Sequence, residues 1–589
     1  VASGPNETLP TGNRRRSSHW ETLAAGALPG ALGGTHLAGL LFFLNPHLPF
    51  TVATAGRAVA FYATLLGLVS LLVHLPVTWR SRQRARGLLP WGLTLVLAAT
   101  GVGAFVHASR FAFFLPPGMN RRLVKLGVVV TASAVVVFYT ALLHRIRRRP
   151  YGRGSRLLLA LLALLSVYSA FERREAFHPP HASAPRATVV EQGQRPKLLV
   201  VGIDTATLDA ILPLAEVGRL PFFARLSEQG AYARLRSLRP PVRGALWTSI
   251  ATGTFPYKHD YLGTRVYRAP FTDIGLRRLP LGIRFGLWGT LGARATELRG
   301  SLRRLTLPEI LERLGLRVAA VGWPGEVSPS SGVSIVLPER FFVPGHAPSG
   351  AAVPEDLQER ARLFEPRLEE LAADAVARFG DAPPAALISS LRDDRWRSDL
   401  CRFLLEQEAR VEALFLVLPG LEQLSLRAFG GYDAVRFHGA HGPRETRAAQ
   451  LFSAYYEALD TIVANLWSLL PEPRLLLVVS AYGVDNPSRG RRLLGGMTGH
   501  PALYGRTAKA PDGVLMMLGD GIRAEMVTGR PTLVDVTPTV LYALGFPVAN
   551  DMDGVVLTRA FAAGFLARRA LSFVPSYEAL AKPKANTAR

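Results

Sequence analysis

Asp204 stands at the end of a continuous apolar run, Leu198 to Ile203, and a helix-like segment follows from Thr207. A buried parallel strand feeding a helix reads this way, and α/β proteins place their chemistry at the carboxyl ends of such strands. Asp204 is therefore the first residue to suspect of function, with capping of the Thr207 to Leu214 helix as its ordinary alternative. His178 and His181, in an HPPH segment rich in proline, could chelate a metal weakly but read as linker residues. The single Cys401 excludes an internal disulfide and any cysteine-built zinc site.

Two kinds of segment must position these groups. From Pro196 onward apolar strands alternate with helices, which implies an open, mostly parallel sheet. Its further strands are expected at Arg317 to Gly322, Ala413 to Leu418, Arg474 to Ser480 and Gly513 to Leu518. Residues 261–306 and 337–402 do not alternate cleanly and are expected as cap insertions over the sheet edge. Within the first, Phe285, Leu287, Trp288 and Leu291 mix with Arg294, Arg299, Arg303 and Arg304, a pattern that suits either a membrane surface or a packed helix.

The preceding part is different. Apolar segments at about 23–44, 58–77, 88–115, 126–143 and 155–171 approach the ~20 residues that span a bilayer. Arginines mark every second loop, at 14–16, at 80, 82, 84 and 86, and between 145 and 156, whereas Arg121, Arg122 and Lys125 break the alternation. By the positive-inside rule, five spans starting inside leave everything after Phe171 outside. Four or six spans remain open, because Pro29 and His36 weaken the first segment and the fifth is short. His36 and Arg57 are expected to be structural rather than parts of a transport path. The organisation is thus a tail (1–20), an all-α transmembrane bundle (21–171), a linker (172–195), an α/β domain (196–578) and a tail (579–589).

A mean hydropathy of +0.18 over 589 residues agrees with membrane segments. The formal charge of +25 comes from arginine spread over the whole chain, since lysine occurs only at 125, 197, 258, 509, 582 and 584. No basic stripe with interleaved aromatics accompanies it, so no nucleic-acid partner is expected. No short apolar segment with a cleavage site is visible, and no removable leader is expected.

The stretch from Lys197 to His259, with GIDT at 202–205 and WTSIATGTFPYKH at 247–259, resembles the alkaline phosphatase superfamily, specifically its phosphodiesterase and nucleotide pyrophosphatase branch. LPEILERLGLRVAAVGWPGEVSP (307–329), RPTLVDVTPTVLYALGFPVANDMDGVVLTRAF (530–561) and VPSYE (574–578) are similar to later segments of that family. The resemblance implies an alkaline-phosphatase-like α/β fold, a mostly parallel sheet sandwiched by helices. It also implies two divalent ions, zinc or manganese, held by about six ligands beside a hydroxyl nucleophile.

Carried over position by position, that set is largely missing. Asp204 matches the first ligand, and the nucleophile falls at Arg243, whose guanidinium has no free lone pair. A DxxxH pair corresponds to Glu422 and Leu426, so Glu422 is the second candidate metal ligand. An Asp-His pair corresponds to Ala481 and Tyr482, and the last histidine to Thr507, with His500 seven residues away. The expectation is a membrane-anchored, extracytoplasmic pseudoenzyme, without resident cofactor, acting as a binding or scaffolding component. Arg243 would pair with Asp204 or bind a phosphate-bearing anion. The lipid bilayer and an envelope protein are the expected partners. The alternative is a divergent metal-dependent phosphodiesterase, acting on a phosphoester or lipid headgroup through Asp204, Glu422, Asp485 and His500 with Thr248 or a bound water attacking.

Overall fold

The computed structural model describes residues 19–80, 88–172, 195–262, 265–280, 296–297, 302, 304–324, 332–342, 355–379, 384–407, 410–440, 442–498, 503–507, 509 and 511–580. His178, His181, His441, His500, nearly all of both tails and of the linker, and most of the basic segment at 281–303 lie outside them. The chain divides into two compact units, residues 1–176 with 264–297, and residues 177–263 with 298–589.

The first unit contains five helices long and apolar enough to cross a membrane: α1 (His19–Leu44), α2 (Val52–Arg80), α3 (Leu89–Arg110), α4 (Pro117–Ile146) and α5 (Arg153–Phe171). Leu68, Leu72 and Val73 of α2, Leu95 and Val102 of α3 and Leu157, Leu161 and Leu164 of α5 are exposed. Apolar faces of this extent suit lipid rather than water. α1 packs against α2, α3 and α5. Gly30 and Gly34 permit its close approach to α2, because a Cβ at either would lie 2.0 and 2.1 Å from the carbonyl oxygens of Leu66 and Tyr62. His36 is buried and bonded to Ser166 of α5 (3.0 Å) and Thr100 of α3 (3.2 Å), a cross-link between helices. Arg122 and Lys125, which break the charge alternation, both pair with Glu172.

Residues 264–297, part of the segment expected as a cap, fall in the same compact unit as these helices. Strands β3 (Arg265–Ala269) and β4 (Thr272–Leu276) form an antiparallel hairpin, and β5 (Thr296–Glu297) pairs with β3. Asn45, fully buried just beyond α1, is the reason. Its Oδ1 accepts the backbone N–H groups of Arg277 (2.8 Å) and Arg278 (2.9 Å), and its Nδ2 donates to the carbonyls of Leu41 (2.9 Å) and Arg278 (2.8 Å). Phe271 at the hairpin turn packs with Phe42 and Tyr62.

The second unit is built on an eight-stranded sheet. Its strands are β1 (Lys197–Ile203), β2 (Ala231–Leu235), β6 (Val318–Val321), β7 (Ile335–Leu337), β8 (Ala413–Leu418), β9 (Arg474–Ser480), β10 (Gly513–Gly519) and β11 (Glu525–Met526). The order is β11-β2-β10-β9-β1-β8-β6-β7, and only β10 runs antiparallel to its neighbours. Central β1 lies between β8 and β9, with Val201 paired to Leu416 and Val478. Leu199, Val201 and Ile203 point into one large core with Leu414, Leu416, Val478 and Met516, as alternation on a pleated strand requires.

That core is closed by helices α6 (Leu208–Glu216) and α7 (Pro221–Gln229), which follow β1. After α8 (Arg243–Thr252), α9 (Pro256–His259) and α10 (Leu307–Arg313) come α11 (Glu355–Leu363), α12 (Leu368–Phe379) and α13 (Ala385–Gln407). Leu357, Ala375, Leu387, Trp396 and Leu400 of the last three are core residues, so the segment expected as a second cap is part of the helical layer. The helical hairpin α14 (Gly420–His438) and α15 (Pro443–Ser468) completes it.

Candidate functional site

Asp204 is completely buried at the carboxyl end of β1, and the ends of four other elements converge on it. Thr205 behind it adopts φ +63°, unusual for a β-branched residue, and donates its hydroxyl to Ser425 at 3.0 Å. The turn aims Asp204 away from α6, whose N-cap is Thr207. The capping alternative for Asp204 therefore does not hold.

Arg243 opens α8 and faces Asp204. Its Nε and Nη2 lie 2.7 and 2.6 Å from Asp204 Oδ2. The other oxygen, Oδ1, accepts the Trp247 indole N–H at 2.8 Å. Trp247, one turn along α8, reaches it because residue 202 is glycine: a Cβ there would lie 2.4 Å from the indole ring. Trp247 then packs edge-on against Trp323, which does the same to Phe415 of β8.

The third guanidinium nitrogen, Arg243 Nη1, lies 2.7 Å from Glu339 Oε1, in the short 3-10 helix Glu339–Phe342 after β7. Glu422, in the first turn of α14, accepts the Tyr482 hydroxyl at 3.0 Å, and Tyr482 follows β9. Burial first and the Asp204 charge second push the Glu422 carboxyl above its ordinary range, against the pull of Arg243. For Arg243 burial alone would lower the pKa, but Asp204 and Glu339 outweigh it and raise it well above the usual value. The guanidinium is permanently charged.

The constellation is thus three carboxylates around one cation, with a phenol and an indole. Tyr482, at a position where the resemblance implied a ligand, donates a hydrogen bond to Glu422. Sequence reasoning missed Glu339 and Trp247. Glu339 lies two residues beyond a strand of only three, too short to announce its end, whereas the tryptophan was visible inside the WTS motif.

Other expected participants are engaged elsewhere. Asp485 pairs with Arg506 (3.5 Å) and accepts the Asn486 N–H (2.9 Å), and Thr248 donates to the Gly244 carbonyl of its own helix (2.8 Å). Leu426 is exposed. Ser249 and His259 form a buried pair at 3.0 Å, but His259 Nδ1 accepts the Tyr261 N–H (3.1 Å). In the neutral ring Nε2 then carries the proton and donates to Ser249, the reverse of nucleophile activation.

The donor set does not fit a pair of divalent ions. Among the described residues no three of His, Cys, Asp and Glu converge as a group able to hold a metal. Asp204 Oδ2 is engaged by two guanidinium nitrogens, and Asp204 and Glu422 alone fall short of the oxygen and nitrogen donors such ions need.

The rear of α8 is fixed to the C-terminal segment. Asp553 accepts the Phe255 N–H (2.8 Å) and pairs with Lys258 (2.7 Å), while Thr537 donates to the Ile250 carbonyl (2.6 Å). Gly253, at φ +64°, ends the helix and accepts the N–H groups of Asp553 and Gly554.

The family described as type I phosphodiesterase / nucleotide pyrophosphatase matches residues 198–494. Among solved structures, the chain is similar to the alkaline phosphatase PafA at 11% identity, over 63% of this chain and 100% of that one, with a TM-score of 0.42. A phosphonate monoester hydrolase from Silicibacter pomeroyi matches at 15% identity, over 64% and 78% of the two chains, with a TM-score of 0.36. A putative sulfatase from Bacteroides thetaiotaomicron matches at 11% identity, over 62% and 75%, also at 0.36. No curated protein sequence matches the chain.

Proposed function

The chain belongs to the type I phosphodiesterase / nucleotide pyrophosphatase family, and from that premise we propose that it has given up metal-dependent hydrolysis and serves as a membrane-anchored binding or scaffolding protein. One observation carries this: the Arg243 guanidinium donates a hydrogen bond from Nε to the buried Asp204 carboxylate and is ion-paired with it through Nη2. A cation built into the chain supplies the countercharge that a metal would otherwise bring, without Lewis acidity and without activating a water. The α/β unit is extracytoplasmic in this proposal, supported by five spanning helices and the arginines placed on alternate loops.

Arg243 is also the proposed contact for a phosphate-bearing ligand. Asp204 is inaccessible, so an anion would have to displace Glu339, whose side chain is 41% exposed, from Nη1. Such a ligand would be recognised by charge and held rather than cleaved.

The test uses the full chain in lipid nanodiscs, with bound zinc and manganese measured by elemental analysis and turnover measured on a generic phosphodiester. Absence of both is expected. Stoichiometric metal together with turnover abolished by Asp204→Ala would overturn the proposal. Reporter insertions after residue 115 and after residue 190 test the topology, with a cytoplasmic signal at the second refuting the extracytoplasmic placement.

A further inference from the structure

Away from the Asp204 site, α13, α14 and α15 line a half-open cavity of about 430 Å³. Its floor is apolar, formed by Leu387 of α13, Leu424 of α14 and Leu451 of α15. Arg427, Arg444 and Arg447 also line it, and Arg427 and Arg444 are exposed. None of the lining residues is acidic. An apolar chamber bordered by three guanidinium groups from two helices has the two-part character of an amphiphile with a single anionic head.

We propose that this cavity binds a single-chain anionic amphiphile, its alkyl chain between Leu387, Leu424 and Leu451 and its carboxylate or phosphate head on the arginines. The volume suits a chain of about a dozen carbons. Amphiphiles of this kind partition into bilayers, and the five apolar helices keep the chain at one. Arginine suits either head group, since its planar fork matches both carboxylate and phosphate oxygens. Occupancy does not depend on the state of Arg243 or Asp204, so it stands or falls separately from the pseudoenzyme proposal.

The full chain in zwitterionic nanodiscs is exposed to a twelve-carbon diazirine-bearing fatty acid, its alkyl phosphate counterpart and its neutral alcohol, then irradiated and mapped by peptide mass spectrometry. Labelling of peptides within 384–451 by one or both anionic probes, and weakly by the alcohol, is expected. The charge-reversed pair Arg427→Glu with Arg447→Glu, and separately Leu424→Trp, which fills the chamber, should each reduce that labelling about fivefold or more while labelling of the spanning helices is unchanged. Label confined to residues 25–171 would overturn the proposal. Equal labelling by the alcohol would overturn it too, as would competition by inorganic phosphate as strong as that by the alkyl phosphate, because the cavity would then not read both parts of the ligand.

Discussion

Arg243 addresses a single oxygen of Asp204 with two nitrogens, Nε at 2.7 Å and Nη2 at 2.6 Å, while Trp247 holds the other oxygen. The carboxylate is fully buried, so its charge is tolerable only with this partner. Arg243→Met should destabilise the α/β unit by ~3–5 kcal/mol, the usual consequence of orphaning one member of a buried pair. The double variant Arg243→Met, Asp204→Leu should recover most of that loss. Thermal unfolding of the full chain in nanodiscs measures both, and a single-variant loss below ~1 kcal/mol would show that Asp204 finds other compensation.

Glu339 restrains the one guanidinium nitrogen that Asp204 does not engage. Glu339→Gln removes the competing charge and should raise the affinity of the site for inorganic phosphate about tenfold, equivalent to ~1.4 kcal/mol. Equilibrium dialysis with labelled phosphate reads this directly. Unchanged binding would remove Arg243 as an anion contact.

Asp394, completely buried in α13, accepts the Tyr455 hydroxyl at 2.7 Å and the Gly420 N–H at 3.0 Å. Burial pushes its carboxyl up to about 7, against the lowering effect of Tyr455 and Arg397. In the unfolded chain the same group titrates near ~4. Its contribution to stability is therefore complete below pH ~4 and is lost as pH rises through about 7, because the folded state keeps a proton that the unfolded state has released. Asp394→Asn should flatten the decline in unfolding free energy between pH ~4 and ~7 by a few kcal/mol, visible in denaturant titrations at stepped pH. An unchanged slope would show that Asp394 is ionised in the folded protein.

Asn45 satisfies four backbone groups at once, two donors and two acceptors. Asn45→Ala strands the N–H groups of Arg277 and Arg278 in a buried place, at a cost of ~2–4 kcal/mol. Faster proteolysis of the chain near residues 265–280 in nanodiscs is the expected signature. Protection equal to that of the wild type would mean that the Phe271 contacts alone hold the hairpin.

Much of this was legible because the sheet centre announces itself. β1, β8 and β9 are continuous buried runs with ends fixed by a charge, a proline or a serine, and they fall where the sequence placed them. β2 escaped notice because its AYARL alternation gains meaning only beside β10, whose residues lie some 280 positions later. β7 and β11 are too short to carry a periodic signal. At the site, Asp204, Glu422 and Arg243 are brought into one electrostatic cluster, as strand-end logic suggests, while the third carboxylate had no local sign. The Gly30 and Gly34 pair was readable as a close-packing helix face and was passed over amid the general abundance of glycine. The hairpin at 265–276 could not be assigned to the helices from sequence, because its specificity resides in one asparagine 232 residues away.

The excursion of residues 264–297 into the helical unit means that the backbone passes between the two units three times, after residues 176, 263 and 297. The anchor is therefore a clasp and not a leash. A protease cutting once within 173–194 would sever the first passage, yet the fragment beginning there would still carry the hairpin seated on Asn45, His47 and Phe42. Release of the α/β unit by one cleavage would require that hairpin to be drawn out first.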